Sequence, residues 1–319
     1  MLVEHIQNFI KEKNIQKVLV GFSGGVDSTV LLYILSKFTD VSVRAIYVNH
    51  CLSENADVWA DFCKSFCFDH DIEFIHEKVL VEKKNRTSLE AVAREKRYGA
   101  YEKHIKNEEV LFLGHHNDDQ VETVMLQLLR GTGVSGLSGM PSYSEGNTLT
   151  IARPMILETE KKDMITKEVL ESYAKENGIT HIVDESNFTN DFRRNFLRNE
   201  IIPKLKEEFG NINKTISNTA IACNTAREYS DKYIYDISKD CIYGNKLLVE
   251  ALQKHSDSEI KDIFRFWMKS MFNQRSTSMK KLNEITKFLK TATNDNNFQL
   301  FWGDYVIKMH WGFMFAEKK

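Results

Sequence analysis

KVLVGFSGGVDSTVLLYILSKF, residues 17–38, decides the fold. Its opening apolar run has the length of a buried strand, and TVLLYILSKF continues as a helix. The turn between them, Ser23, Gly24, Gly25, Val26, Asp27 and Ser28, brings unpaired backbone N–H groups and the positive helix end to one spot. That arrangement is an anion cradle: the glycines permit close approach, and the two serine hydroxyls can bond phosphate oxygens. A Walker A loop would carry Lys before its last Ser or Thr, and this turn has none, which disfavours ordinary kinase and GTPase chemistry. Asp27 would repel a phosphate unless a cation lies between them, and a hard, oxygen-seeking ion such as magnesium answers that need.

Outward from this turn the pattern repeats. Strands are predicted at 41–48, 72–80 and 110–114, and helices at 56–70, 88–105 and from 114 to Leu129. The alternation implies an α/β fold, a parallel sheet covered by helices on both faces, with ligands at the carboxyl ends of its strands. RGTGVSGLSGMPSYSEGN, 130–147, reads as a long glycine-rich loop with the character of a lid, followed by a helix over 159–177 and a short strand, ITHIVD, at 179–184. The first domain is expected to span 1–210. Residues 211–319 form a smaller, mainly helical domain, with helices over about 210–242, 256–272 and 277–290, and with alternating apolar runs around Gly303-Asp304 that suggest a terminal β-hairpin.

The chain of 319 residues is 42% hydrophobic with 3 prolines, which excludes disordered and collagen-like classes. No stretch has the length of a membrane span and no signal-peptide pattern opens the chain, so a cytoplasmic protein is expected. A formal net charge of −2 means that any polyanionic partner has to find a local basic patch. The 5 cysteines contain no CxxC, and Cys63 and Cys67 lie on an apolar helical stripe with Trp59, Phe62 and Phe66, which reads as core packing.

Three further clusters carry chemistry. In GHHNDDQVETVMLQLLRGTG, 114–133, His115, Asp119 and Glu122 share a helical face, His116 sits beside them, and Arg130 follows the helix; a zinc reading is weakened because adjacent imidazoles diverge and no cysteine lies close in sequence. Capping by Asn117, Asp118 and Asp119 is the structural alternative. In SLEAVAREKRYGAYEKH, 88–104, Arg94 and Arg97 precede Tyr98 and Tyr101 at helical spacing, suited to neutralising a phosphate or to surface ion pairs with Glu90 and Glu95. In DESNFTNDFRRNFLRNEIIPKL, 184–205, Arg193, Arg194 and Arg198 accompany Asn187 and Asn195 in a basic patch, with Phe192 and Phe196 taken as packing residues.

The SGGVDS turn resembles the pyrophosphate loop of the N-type ATP pyrophosphatase (PP-loop) superfamily. The strings EAVAREKRYGAYEK, LGHHNDDQVETVMLQLLRGTGVSGLSGM, ARPM and DESNFTNDFRRNFLRNEIIPKL, in that order, are similar to those of the tRNA(Ile)-lysidine synthase family. The resemblance implies an adenine nucleotide alpha hydrolase-like fold and a ligase that adenylates the wobble cytidine of tRNA(Ile) with a CAU anticodon, after which free L-lysine displaces AMP. ATP and Mg2+ are the implied co-substrate and cation, tRNA(Ile) the partner, bound in part by the carboxyl-terminal domain, with no membrane and with room for a homodimer. By that resemblance Asp27, His115, Asp119, Arg94, Arg97 and Arg198 are catalytic, Asp27 and Asp119 hold the metal, and Ser23 to Ser28 bind ATP. His50, His116, Glu122, Arg130, Arg194 and Asn195 contact substrate or tRNA. One departure stands out: after His50 the family has glycine, where this chain has Cys51, and Ser53 stands where a basic residue is common. Sulfur transfer to tRNA after the same adenylation is the competing reading, for which Cys51 is the cysteine nearest the cleft.

Overall fold

The computed structural model describes residues 1–82, 89–146, 148–157, 164–184, 193–274, 279–293 and 298–319. Asn187 and Phe192 lie outside these residues. The chain forms two compact units, Met1–Asn224 and Thr225–Lys319.

In the first unit the elements run α1 (Leu2–Glu12), β1 (Lys17–Gly21), α2 (Val26–Ser36), β2 (Ser42–Asn49), α3 (Ala56–Asp69), β3 (Glu73–Lys78), α4 (Leu89–His104), β4 (Glu109–Leu113) and α5 (Asn117–Leu129). They continue with α6 (Val134–Leu137), β5 (Tyr143–Ser144), β6 (Ile151–Ala152), α7 (Lys167–Glu176), α8 (Arg193–Phe196), a π-helical turn (Leu197–Ile201), α9 (Ile202–Phe209) and α10 (Ile212–Ser238). The sheet order is β3-β2-β1-β4-β6-β5, parallel except for β5, which pairs antiparallel with β6 at the edge. The sheet is therefore mixed rather than purely parallel.

Strand parity sorts the core into two layers. Val18, Val20, Ala45, Tyr47 and Phe112 pack with residues of α1, α2, α3 and α7. Their neighbours Leu19, Ile46, Val48, Leu111 and Leu113 pack against Ala100 and Tyr101 of α4. Helix α2 is apolar on nearly every side because it lies deep in the first layer, with Val30, Leu31, Leu32 and Leu35 fully buried.

Three expectations change. The segment 179–184 contributes no strand, only an isolated bridge between Ile182 and Gly25, because Ile182 is used to cover the glycine turn. The loop at 130–147 contains α6 and β5. Gly210 ends α9 with φ 73°, which reads in sequence as a domain boundary, but Ile212 and Ile216 then pack on Val121 and Ile202, so the start of α10 belongs to the first unit.

The second unit holds the rest of α10, β7 (Ile242–Tyr243), β8 (Lys246–Leu248), α11 (Val249–Leu252), α12 (Asp257–Phe272), α13 (Met279–Thr291), β9 (Phe298–Trp302), β10 (Tyr305–His310) and β11 (Phe313–Lys318). Ser256 and Glu259 close a capping box at the start of α12. The terminal hairpin around Gly303-Asp304 is part of a larger antiparallel sheet, β7-β8-β11-β10-β9, whose inner residues Trp302, Ile307, Met309 and Met314 pack on Ile260, Phe264 and Trp267. A second tight turn at Trp311-Gly312 adds the last strand, in a run whose aromatic density hides the period.

Candidate active site

The turn after β1 is built as a cradle. Gly24 has φ 80°, and a Cβ there would stand 2.4 Å from Ile182 Cδ1, so only glycine fits. Ser23 N–H donates to Ser28 Oγ at 3.2 Å, the two hydroxyls lie 3.0 Å apart, and Thr29 Oγ1 donates to the carbonyls of Gly24 and Gly25. Gly25 is the N-cap of α2 and brings no side-chain cap, which leaves the helix end open to an anion. Gly114, at the end of β4, matters as much: a Cβ there would lie 3.0 Å from Ser28 N and 3.1 Å from Asp27 C. The sequence signal for Gly114 was its place directly before the histidine pair.

Parity sends the two adjacent histidines to opposite faces of the sheet. His116 is 2% exposed, with Nε2 3.5 Å from Asp27 Oδ1 and 3.6 Å from Asp119 Oδ2. It is also the N-cap of α5: its Nδ1 accepts the Asp118 N–H at 3.2 Å, while Asp119 Oδ2 accepts the His116 N–H at 3.1 Å. Burial opposes charge on this ring, yet Asp119, Asp118 and Asp27 together raise its pKa to about 9. The capping bond needs the Nδ1 lone pair of the neutral ring; the cation instead has Asp118 Oδ2 3.4 Å from Nδ1. With acids on three sides we take the cation as the resting form. Asp118 is braced in turn by the Lys167 N–H at 2.8 Å and by Asn213 Nδ2 at 2.5 Å.

Asp27 Oδ1 is sealed from solvent without a hydrogen-bond partner, while the side chain as a whole remains 36% accessible. Burial and then Asp119 raise its pKa against the pull of His116. Asp119 behaves oppositely: burial is its largest influence and favours the acid, but His116 and Arg194 outweigh it and hold the carboxyl well below the usual range. Arg194 Nη2 donates to Asp119 Oδ1 at 2.7 Å, and Arg194 and Arg198 each donate Nε to Glu122 at 2.5 Å. Glu122, 1% exposed in its side chain, is thus clamped by two guanidiniums. Two arginines and two acids balance, so this cluster fixes α8 and its π-helical continuation onto α5.

On the α4 face, Arg94 Nη2 donates to Tyr98 OH at 3.1 Å and lies over the Tyr98 ring. His115, half-buried, has its Nδ1 sealed and unpartnered, and burial, reinforced by Arg153, Arg194 and Arg97 against Asp119, lowers its pKa to about 3. His50, after β2, is lowered to about 4 by burial and by Arg97. Cys51 follows at φ 54°, in the left-handed region that suits the glycine of the resembled family. Arg130 is exposed beyond α5, Arg193 is exposed and Asn195 half-buried on α8.

Sequence reasoning gave no site role to Arg153 or Gln120. Arg153, 5% exposed, donates Nη1 to Pro141 O at 3.0 Å. Gln120 exchanges two hydrogen bonds with the Met140 backbone, at 2.9 and 2.7 Å, and occupies the space where a Cβ on Gly139 would fall. Together they pin the end of the glycine-rich segment. ARPM carried a visible arginine, but nothing in its spacing pointed to a cleft.

Residues 1–205 match a PP-loop domain family. The chain is 37% identical over 292 residues to a tRNA(Ile)-lysidine synthase of Haemophilus ducreyi, covering 90% of this chain and 65% of that protein. It is 34% identical over 316 residues to one of Histophilus somni strain 129Pt, covering 97% and 72%. It thus spans roughly two thirds of the length of these relatives. The fold is similar to that of the U34-tRNA thiolase NcsA from Methanococcus maripaludis, with a TM-score of 0.53 and 18% identity over 69% of this chain and 76% of the other. A phosphate cradle, a histidine held among three acids and these extended identities lead to one assignment: the chain belongs to the tRNA(Ile)-lysidine synthase family, ATP-dependent ligases that form lysidine from cytidine, and carries the PP-loop ATP-binding domain.

Proposed function

We propose that this chain joins free lysine to the wobble cytidine of tRNA(Ile) bearing a CAU anticodon, through an adenylated cytidine, releasing pyrophosphate and then AMP. The observation that carries the reading is the placement of the buried His116 ring between Asp27 of the phosphate cradle and Asp119 of α5. The turn at Ser23 to Ser28 receives the outer phosphates. The cytidine carbonyl oxygen attacks the α-phosphorus as the bond to pyrophosphate breaks. The lysine amine then adds at the same carbon, AMP departs with that oxygen, and the amine loses a proton.

His116 offsets negative charge that builds beside the cradle. His115 stays neutral with an unpartnered Nδ1 lone pair or proton, and the negative charge of a bound nucleotide raises its basicity toward that of a working proton acceptor. Asp119, held ionised by its partners, orients His116 and the arginines. Arg194 and Arg198 act through those acids, and Arg94 and Arg97 face the phosphates or the tRNA backbone.

Among the described residues no group of three or more His, Cys, Asp or Glu side chains is arranged to hold a metal. Asp27 Oδ1, buried and without a hydrogen bond though 3.5 Å from His116 Nε2, fits a magnesium ion carried in with the nucleotide, and Asp27 would hold it. Both Asp119 oxygens already accept protein donors, so Asp119 supports that site by charge. When bound, the ion screens the outer phosphates. Residues 211–319 are assigned to holding tRNA, a role supported by exposed aromatic residues such as Phe301 beside the Lys319 ammonium. Among the described residues no helix is long and apolar enough to cross a membrane.

Sulfur transfer is the weaker reading. Burial raises both the Cys63 and Cys67 thiols, Cys67 to about 12, which leaves exposed Cys51 without a cysteine partner at the cleft.

The deciding measurement is pyrophosphate release from ATP with lysine or tRNA(Ile) omitted in turn. Release should require the tRNA, and lysidine should require both; turnover that needs neither sinks the assignment. Asp27→Ala should abolish release while tRNA binding stays within a few fold, and retained turnover would remove Asp27 from the chemistry.

A further inference from the structure

Four of the described guanidiniums are spent on carboxylates: Arg44 on Glu73 and Glu109, Arg194 and Arg198 on Asp119 and Glu122, Arg265 on Asp262. Three arginines on one face of the first unit are not. Among the described residues Arg94, Arg97 and Arg153 have no carboxylate partner. Arg153 is the telling one, because a buried charge is ordinarily neutralised. It is 5% exposed, donates to a single carbonyl, Pro141 O, and its Nε is sealed with no partner at all.

The fold explains why these residues meet. Phe112 pairs with Ala152, so Arg153 leaves β6 level with Leu113 and on the same parity as His115, two residues further along, at the carboxyl end of the sheet. Leu111, Leu113, Ile46 and Val48 place that parity on the α4 layer, where His50 follows β2 and where Arg94, Arg97 and Tyr98 line the helix above. Arg94 Nη2 holds the Tyr98 hydroxyl, and the charges of Tyr98 and Arg94 both act on Arg153. His50 Nδ1 and His115 Nδ1 are sealed and unpartnered as well. Each cation here discourages its neighbours: Arg97 lowers the basicity of His50 and His115, and Arg94 that of Arg153. An anion brought to this spot would relieve all of them.

We propose that Arg153, at the floor beneath Arg94 and Arg97, completes an oxyanion subsite that takes a backbone phosphate of the RNA substrate next to the nucleotide being modified. The inference rests on the function proposed above. The outer phosphates of ATP have their own cradle at Ser23 to Ser28, and the arginines nearest the acids are already neutralised. In a chain of net charge −2, unspent arginines are where an RNA backbone finds its counter-charge. The planar fork also explains arginine rather than lysine, since it can hold Pro141 O through Nη1 while directing its remaining N–H groups at a phosphate.

The test compares the full-length protein with Arg153→Gln, Arg153→Lys and Arg97→Gln, using unmodified tRNA(Ile) transcript over a range of salt. Arg153→Gln and Arg97→Gln should each weaken RNA binding about tenfold and flatten log Kd against log salt by about 0.7–0.9. Arg153→Lys should recover part of the affinity, and in the two Arg153 variants the KM values for ATP and lysine should not move. An RNA carrying uncharged methylphosphonates at the two linkages flanking the wobble nucleotide should bind the unaltered protein as weakly as natural RNA binds Arg153→Gln, with no further loss in the variant. Should Arg153→Gln fail to fold, Arg97→Gln and the neutral linkages decide. RNA binding untouched by either overturns the subsite, as does an effect confined to the KM for lysine, which would mark a carboxylate pocket. If the unaltered protein forms no lysidine, the function itself falls; if it does and RNA binding is unmoved, only the subsite falls.

Discussion

His115 and His116 are neighbours in the chain and live in opposite worlds. His116 faces the α2 side among Asp27, Asp118 and Asp119, and its pKa rises to about 9; His115 faces the α4 side toward Arg97 and Arg153, and its pKa falls to about 3. One residue of offset at a strand end moves a side chain to the other face of the sheet. A single dipeptide therefore supplies a cation to the acidic pocket and a neutral imidazole to the basic one. The division of labour comes from parity, not from the residue type.

The largest test removes the cation. His116→Gln should cut pyrophosphate release about a hundredfold or more, the scale of losing one charge-stabilising donor, while tRNA binding holds. Release near the normal rate would mean that the acidic pocket does not work through His116. Gly114→Ala comes next, because its methyl would press on the backbone of Asp27 and Ser28. A loss of about 1–3 kcal/mol in denaturant unfolding, with a raised KM for ATP, is expected; an unchanged midpoint and KM would mean that β4 and α2 can part at no cost.

The histidines should also tilt the stability profile in opposite directions. His116, raised in the fold, contributes stability that is fully present below pH 6.5 and is lost as pH rises through about 9. His115, lowered in the fold, resists protonation, so stability falls as pH drops below 6.5 toward about 3. Unfolding curves should show His116→Gln flattening the alkaline limb and His115→Asn the acid limb, the latter by about 1 kcal/mol at pH 5 once partial exposure is allowed for. A swap of the two limbs would reverse the comparison. Smallest of all, Cys51→Gly should relieve the left-handed backbone beside His50 and raise stability by up to about 1 kcal/mol. A destabilised variant would show that the thiol packs usefully.

Most of the first unit was readable as sequence because its signals are local. β1 and α2 flank the glycine turn and α5 opens where the histidine pair ends, whereas residues 164–166 of the helix expected over 159–177 are not helical and Thr166 caps α7 instead. The errors share a cause. The run 179–184 has the apolar content of a strand, but Ile182 is occupied in covering Gly24, a use that only a distant partner creates. The third strand of the terminal meander was missed because FQLFWGDYVIKMHWGFMF is apolar throughout, and a second turn within it has little contrast against its flanks.

The sequence by itself determined the phosphate cradle, the alternating layers and, Arg153 excepted, the identity of the charged residues near the cleft, since these depend on residue type and short-range spacing. Only the tertiary structure decided which charges cancel. Asp119 and Glu122 absorb Arg194 and Arg198 from more than seventy residues away, while Arg153 has no carboxylate partner among the described residues. Coulomb energy depends on distance and on the surrounding medium, and the folding of the sheet sets both.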